Sequence, residues 1–151
     1  VTLPPEFFDC IRLDNCLEHV PDPLAVLQEC ARILAPGGRI LIYVPHAGGL
    51  FFRLMGRYSI SAWIPFHLQL FTSASMRRLL RTAGFADSRM YSFTPNSWVP
   101  LSVWQRVGGR PAELGRTSAL LLFVMCYPLG WAASKIGLGE ELVIDVRKSH
   151  R

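Results

Sequence analysis

The run Arg39-Ile40-Leu41-Ile42-Tyr43-Val44 constrains the fold more than any other feature of the chain. A near-continuous apolar segment of this length is the pattern of a strand covered on both faces, as in a parallel sheet. Upstream, residues 7–13 are apolar and β-prone and stop at the polar pair Asp14-Asn15. Between the two strands lies a helical pattern. Asp22 is a good N-cap, Pro23 suits the first helical position, and Leu24, Leu27, Ala31 and Leu34 recur at helical spacing. A helix is expected over residues 23–34, stopped by Pro36-Gly37-Gly38. Strand, helix and strand within about 35 residues form a βαβ unit, whose crossover should be right-handed.

The remaining elements follow in order. Residues 46–71 carry Gly48, Gly49, Gly56, Pro65 and many aromatics, and read as a long substrate-side loop. Thr72 or Ser73 can cap a helix bearing Met76, Leu79, Leu80 and Ala83, with Gly84 closing it. Residues 85–93 read as a strand and 97–107 as a short helix. Residues 95–139 form an apolar helical insertion, and 141–147 make a last strand through Leu142, Ile144 and Val146. All of this belongs to one domain, which 151 residues are enough to build.

Half of the residues are hydrophobic and 18% are charged, too apolar a balance for a disordered chain. The net charge of +5 is scattered. Arg77, Arg78 and Arg81 fall on one side of a helix, and Arg147, Lys148 and Arg151 on a tail. Neither group is interleaved with stacking aromatics, so nucleic acid is not an expected partner. Cys10, Cys16, Cys30 and Cys126 form no C-x-x-C pair and have no histidine at zinc-finger spacing. They read as free thiols in a reducing, cytoplasmic setting. The chain begins at Val1, as a fragment does, with no signal peptide ahead of its first strand.

Residues 117–134 carry no charge and reach the length of a membrane span, though Pro128 and Gly130 interrupt them. The favoured expectation is a buried or substrate-facing helix. The alternative is peripheral membrane contact, for which Trp98, Trp104 and Trp131 beside Arg106, Arg110 and Arg116 are suited. Either suits a small, apolar or lipid-like ligand.

Several segments together carry a resemblance. They are Phe8-Asp9-Cys10, then Leu17-Glu18-His19-Val20-Pro21-Asp22-Pro23, then Arg32-x-Leu34-x-Pro36-Gly37-Gly38-Arg39, and a strand ending Val44-Pro45. His67-Leu68-Gln69-Leu70-Phe71-Thr72, the stretch from Arg77 to Phe85, and Gly139-Glu140-Glu141-Leu142-Val143-Ile144 continue it. The whole resembles class I S-adenosylmethionine-dependent methyltransferases, above all those related to quinone biosynthesis, and covers roughly residues 6–94 well. The resemblance implies an α/β, Rossmann-like fold, present in part: a mostly parallel sheet with a final antiparallel strand. It implies S-adenosylmethionine as cofactor, bound at the carboxyl ends of the strands. Leu13, Asp14 and Asn15 would line the methionine end, partly through main-chain groups, and Leu17, Glu18 and His19 would face the transferred methyl.

The family's glycine-rich turn and its ribose-binding acid have no counterpart in this sequence, and the strand that carries the turn would precede Val1. This chain alone is therefore expected to bind cofactor weakly or not at all. Transfer to a hydroxyl needs a base, and His19, His46 and His67 are the candidates. For each, a structural hydrogen bond stays open as the alternative. Some relatives hold a divalent metal with an acidic residue followed three positions on by Glu-His. Here Asn15 stands at the acidic position ahead of Glu18 and His19, so no metal is expected. The missing strands would pair beside residues 8–13, leaving an open apolar edge and a tendency to self-associate. A degenerate, non-enzymatic half used for dimerisation or membrane docking is the rival reading.

Overall fold

The computed structural model describes residues 3–63, 65–110 and 114–149. His150 and Arg151 of the basic tail lie outside them. Four strands form one sheet in the order β1-β2-β4-β3: β1 (Phe8–Asp14), β2 (Leu34–Pro45), β3 (Ser88–Phe93) and β4 (Glu141–Arg147). β1 runs parallel to β2, and β4 runs antiparallel to both β2 and β3. Three strands therefore share one direction and the last opposes them, as expected. Their carboxyl ends and the start of β4 meet on one rim, where Pro45 lies opposite Glu141.

α1 (Pro23–Ile33) begins as read, with the Asp22 carboxylate accepting from the Ala25 amide at 3.0 Å. It ends one residue early, because Leu34 already pairs with Phe8. The Pro-Gly-Gly segment is not a free turn. It lies within β2 as an irregularity between the pairs Phe8↔Leu34 and Cys10↔Arg39, and Gly37 and Gly38 bond back to Lys148 on the far side.

Ile40, Ile42 and Val44 of β2 are fully buried with Leu142, Ile144 and Val146 of β4, Leu27 of α1, and Met76 and Leu80 of α3 (Ser73–Thr82). The intervening Leu41 and Tyr43 are only half-buried, so β2 is fully covered on one face. On the other face the Arg12 guanidinium lies 4.8 Å from the Tyr43 ring centroid and supplies partial cover. α3 starts in a capping box between Thr72 and Ser75 and stops at Gly84, whose φ of +95° strains any side-chain-bearing residue.

Residues 46–71 are more ordered than a loop. They contain α2 (Leu50–Met55) and a 3-10 turn, Gly56–Tyr58. α2 forms because the buried Glu140 carboxylate accepts from the Phe51 amide at 2.8 Å, capping from across the fold. β3 starts three residues later than expected, at Ser88. The insertion forms α4 (Trp98–Arg106) and α5 (Arg116–Lys135). The expectation that residues 117–134 are buried is corrected. Only Cys126, Gly130 and Ala133 of α5 are buried, because the helix packs beside the edge strand β3, chiefly against it and α4, with Cys126 and Ala133 also joining Phe51 of α2 in a small cluster.

Candidate functional site

The site is built where β1 ends. Asn15 adopts φ +46°, a conformation asparagine tolerates, while its amide still donates to the Tyr43 carbonyl at 3.0 Å. The chain then leaves the sheet through a 3-10 turn, Leu17–His19. That turn sorts its side chains sharply. Leu17 enters the core and Glu18 is fully buried, while His19 stays exposed.

His67 is brought to Glu18 by the backbone. The amides of Leu68 and Gln69 both donate to the Glu18 carbonyl, at 2.8 and 3.0 Å. The two imidazoles then lie edge to face, 4.8 Å between centroids, with the Trp63 ring 5.5 Å from His67 and 6.1 Å from His19. Trp63 has φ +33°, an uncommon conformation for a bulky residue and a mark of functional loops. Asn15, His19, Ser61, Trp63, His67 and Trp98 line a mainly apolar cavity of about 340 Å³.

Hydrogen bonding fixes the tautomers. His19 Nδ1 lies 3.0 Å from the Phe66 carbonyl and His67 Nδ1 3.0 Å from the Ser61 carbonyl. A carbonyl only accepts, so each Nδ1 carries the proton and each Nε2 of the neutral ring keeps its lone pair. Both Nε2 atoms stand 4.0 Å from Glu18 Oε1. Neither Glu18 oxygen has a hydrogen-bond partner among the described residues. Burial pushes the Glu18 pKa up, against the His19 charge that lowers it, and burial pushes the His67 pKa down. Glu141 is also buried on this rim. Asn15 Nδ2 donates to it at 3.4 Å, and burial raises its pKa to about 7, with Asp14 and Glu18 adding to the shift.

The structure thus brings Asp14, Asn15, Glu18, His19 and His67 to the rim or its cavity. It does not bring Leu17, whose side chain lies wholly in the core; Leu13, partly buried, packs against that core. His46 also stands apart from the cavity. Its Nδ1 binds the Gly139 carbonyl at 2.8 Å, its Nε2 lies 3.4 Å from Ser73 Oγ, and burial lowers its pKa. Both of its nitrogens are engaged within the fold. Sequence reasoning missed Trp63 and Glu141 as site residues. Glu141 was legible only as part of a strand likeness, and Trp63 only as one aromatic of many.

One carboxylate and two imidazoles offer donor atoms within 4.8 Å of one another. Asn15 argues against a hard-cation site, but the fold adds His67, and a mixed nitrogen and oxygen set suits a transition-metal dication. Each His donates its other N–H to a backbone carbonyl, the usual outer support of a metal-bound imidazole. For S-adenosylmethionine, the exposed Asp14 carboxyl and the main chain at Leu13–Asn15 on the rim would hold its charged end, with Glu18 and Glu141 buried behind them. That is one wall of a site, and these residues fit it.

Comparison with known proteins agrees with this geometry. Residues 2–88 match the family described as methyltransferase domain. A stretch of 35 residues is 49% identical to the ubiquinone biosynthesis O-methyltransferase of Xanthomonas oryzae pv. oryzae, covering 23% of this chain and 15% of that enzyme. The Vibrio cholerae enzyme of the same description is 47% identical over 36 residues, 24% of this chain and 15% of that protein. Among solved structures, the chain is similar to an S-adenosylmethionine-dependent methyltransferase from Thermotoga maritima, with TM-score 0.62 and 20% identity over 99% of this chain and 60% of that one. It is also similar to the Haemonchus contortus phosphoethanolamine N-methyltransferase 2 in complex with S-adenosyl-L-methionine, with TM-score 0.55 and 18% identity over 97% of this chain and 34% of that one. The structural likenesses establish the fold. The chain spans less than two thirds of the length of each of these relatives, and 15% of the two ubiquinone biosynthesis enzymes.

Proposed function

Because this chain belongs to the methyltransferase domain family, we propose that it builds the acceptor side of an S-adenosylmethionine-dependent methyltransferase acting on a small, apolar, hydroxyl-bearing molecule. The observation that carries this reading is the pair of Nε2 lone pairs held in an aromatic-walled cavity on the carboxyl rim of the sheet. S-adenosylmethionine, when bound, supplies the methyl carbon. The protein's own work is alignment and proton removal.

Trp63 and Trp98 bind and dry the apolar body of the acceptor. His19 Nε2, on the exposed side, takes the acceptor proton. Its Nδ1–H bond to the Phe66 carbonyl keeps the ring aimed, and the Glu18 carboxylate 4.0 Å away stabilises the imidazolium. His67 holds the opposite side of the same cavity. Four free thiols fit the reducing cytoplasmic setting.

A second reading is favoured by the unpartnered Glu18 oxygens. Glu18, His19 and His67 would hold a divalent transition-metal ion, which would acidify an acceptor hydroxyl. Titration with Co²⁺ separates the two. A visible absorption band lost in Glu18→Gln and His67→Ala supports the ion, and its absence leaves His19 as the base.

Calorimetric titration with S-adenosylhomocysteine tests the main reading, on this chain and on one extended at its N-terminus. Binding by the extended chain, weak or undetectable in the shorter one, is the expected result. No binding by either supports the rival, a non-enzymatic module used for dimerisation or docking.

A further inference from the structure

We propose that the outward face of α5 docks on an anionic lipid bilayer, with the helix lying in the plane of the interface. The proposal stands apart from the methyl-transfer reading. Leu120, Leu121, Val124, Met125, Leu129 and Trp131 are all exposed, Leu121 by 61% and Met125 by 73%. At 100° per residue they spread over about half of the helix circumference. No charged residue lies between Arg116 and Lys135, so the water-facing side of this helix is an apolar patch.

The inner side is anchored over its C-terminal half. Cys126, Gly130 and Ala133 are buried, a Cβ on Gly130 would meet the Thr94 side chain at 3.1 Å, and Ser134 Oγ donates to Thr94 Oγ1 at 3.1 Å. Twenty residues are long enough to cross a bilayer. Crossing would strip these contacts and separate α5 from β3 and α4. Lying flat keeps them and wets only the outer face with lipid.

Charge selects the occupant. Residues 94–139 contain four basic residues, Arg106, Arg110, Arg116 and Lys135, and one acidic residue, Glu113. Arg116 and Lys135 bracket the apolar face, placed to reach anionic headgroups while their stems lie on lipid. Lys135 Nζ sits 5.6 Å from the Trp131 ring, a pairing suited to the headgroup layer. Strands added to the sheet would not cover this face, because they pair at β1 and α5 packs at β3, the opposite edge.

The test is flotation of the whole chain with vesicles of phosphatidylcholine, alone or mixed with phosphatidylglycerol. Binding to the mixed vesicles is expected, falling at high salt and in phosphatidylcholine alone. The triple variant Leu121→Gln, Met125→Gln, Leu129→Gln, with an unchanged circular dichroism spectrum, should bind at least about tenfold more weakly. The pair Arg116→Gln, Lys135→Gln should also lose about tenfold, on the anionic vesicles only. No binding by the native chain overturns the proposal, as does equal binding by the triple variant. So does a fall in oligomeric mass in that variant without vesicle binding, which would assign the face to a second copy.

Discussion

His67 Nε2 lies 4.0 Å from Glu18 Oε1, although the two residues belong to segments far apart in the chain, held together by the Leu68 and Gln69 amides on the Glu18 carbonyl and by His19 on the Phe66 carbonyl. The pairing leaves a fully buried carboxylate with two imidazole Nε2 atoms 4.0 Å from it. A purely structural glutamate would have donors on its oxygens.

Histidine substitutions separate the site from its scaffold. In the complete enzyme, His19→Ala or His67→Ala should lower kcat by about 10²-fold or more, the scale of a lost base or of a lost ligand. His46→Gln should keep kcat within a few-fold and lower Tm, because His46 binds Gly139 and Ser73 outside the cavity. Steady-state methyl transfer and thermal melts check both.

Glu140 makes stability depend on pH in a stated direction. Burial raises its pKa to about 7 from 4.5, despite the Phe51 and Phe52 amides that favour the anion. The folded state therefore holds the proton more tightly than the unfolded state. The resulting stability is complete below about 4.5 and is lost as pH rises through about 7. Glu140→Gln keeps an acceptor for Phe51 and cannot ionise. It should raise stability at pH 8 by up to about 3 kcal/mol and change little at pH 4. Urea melts of both proteins at the two pH values decide it.

The parts legible in the sequence were those set by local rules. The Asp22-Pro23 start, the Thr72 cap and the Gly84 stop depend on neighbours a few residues away, and all three appear; the last strand also forms, but Glu141, Leu142, Val143 and Ile144 are buried in succession rather than in alternation. What failed depends on distant partners. α2 needs Glu140 as its cap, which no local pattern announces. Residues 117–134 look like a core helix by composition, yet composition does not say how many neighbours an insertion will find. The site was half legible. Glu18-His19 is a local motif, whereas His67, Trp63 and Glu141 reach it only through tertiary pairing.

Gly139 is required by a close approach. A Cβ there would stand 2.7 Å from the Phe93 backbone nitrogen and carbonyl carbon, and a backbone cannot rotate away as a side chain does. Gly139 also accepts from His46 and leads directly into Glu140 and Glu141. Gly139→Ala should destabilise the fold by about 1–3 kcal/mol, as overpacking does. It should also weaken S-adenosylhomocysteine binding by the extended chain, because the shift moves Glu141 on the rim. Denaturant melts and calorimetry check the two effects.

β1 pairs only with β2 among the described residues, so its other edge presents unpaired backbone groups beside the exposed Cys10. An edge of this kind pairs with another copy unless a strand of its own chain covers it. The 17.0 kDa chain alone should therefore scatter light as a species of at least twice its mass. Cys10→Lys, a charge on the edge, should shift it toward the monomer, because burying an ammonium between paired strands is costly. An N-terminal extension that supplies a neighbouring strand should do the same and also protect the β1 amides from hydrogen exchange. A native chain that is monodisperse at 17.0 kDa would show that the edge is closed in some other way.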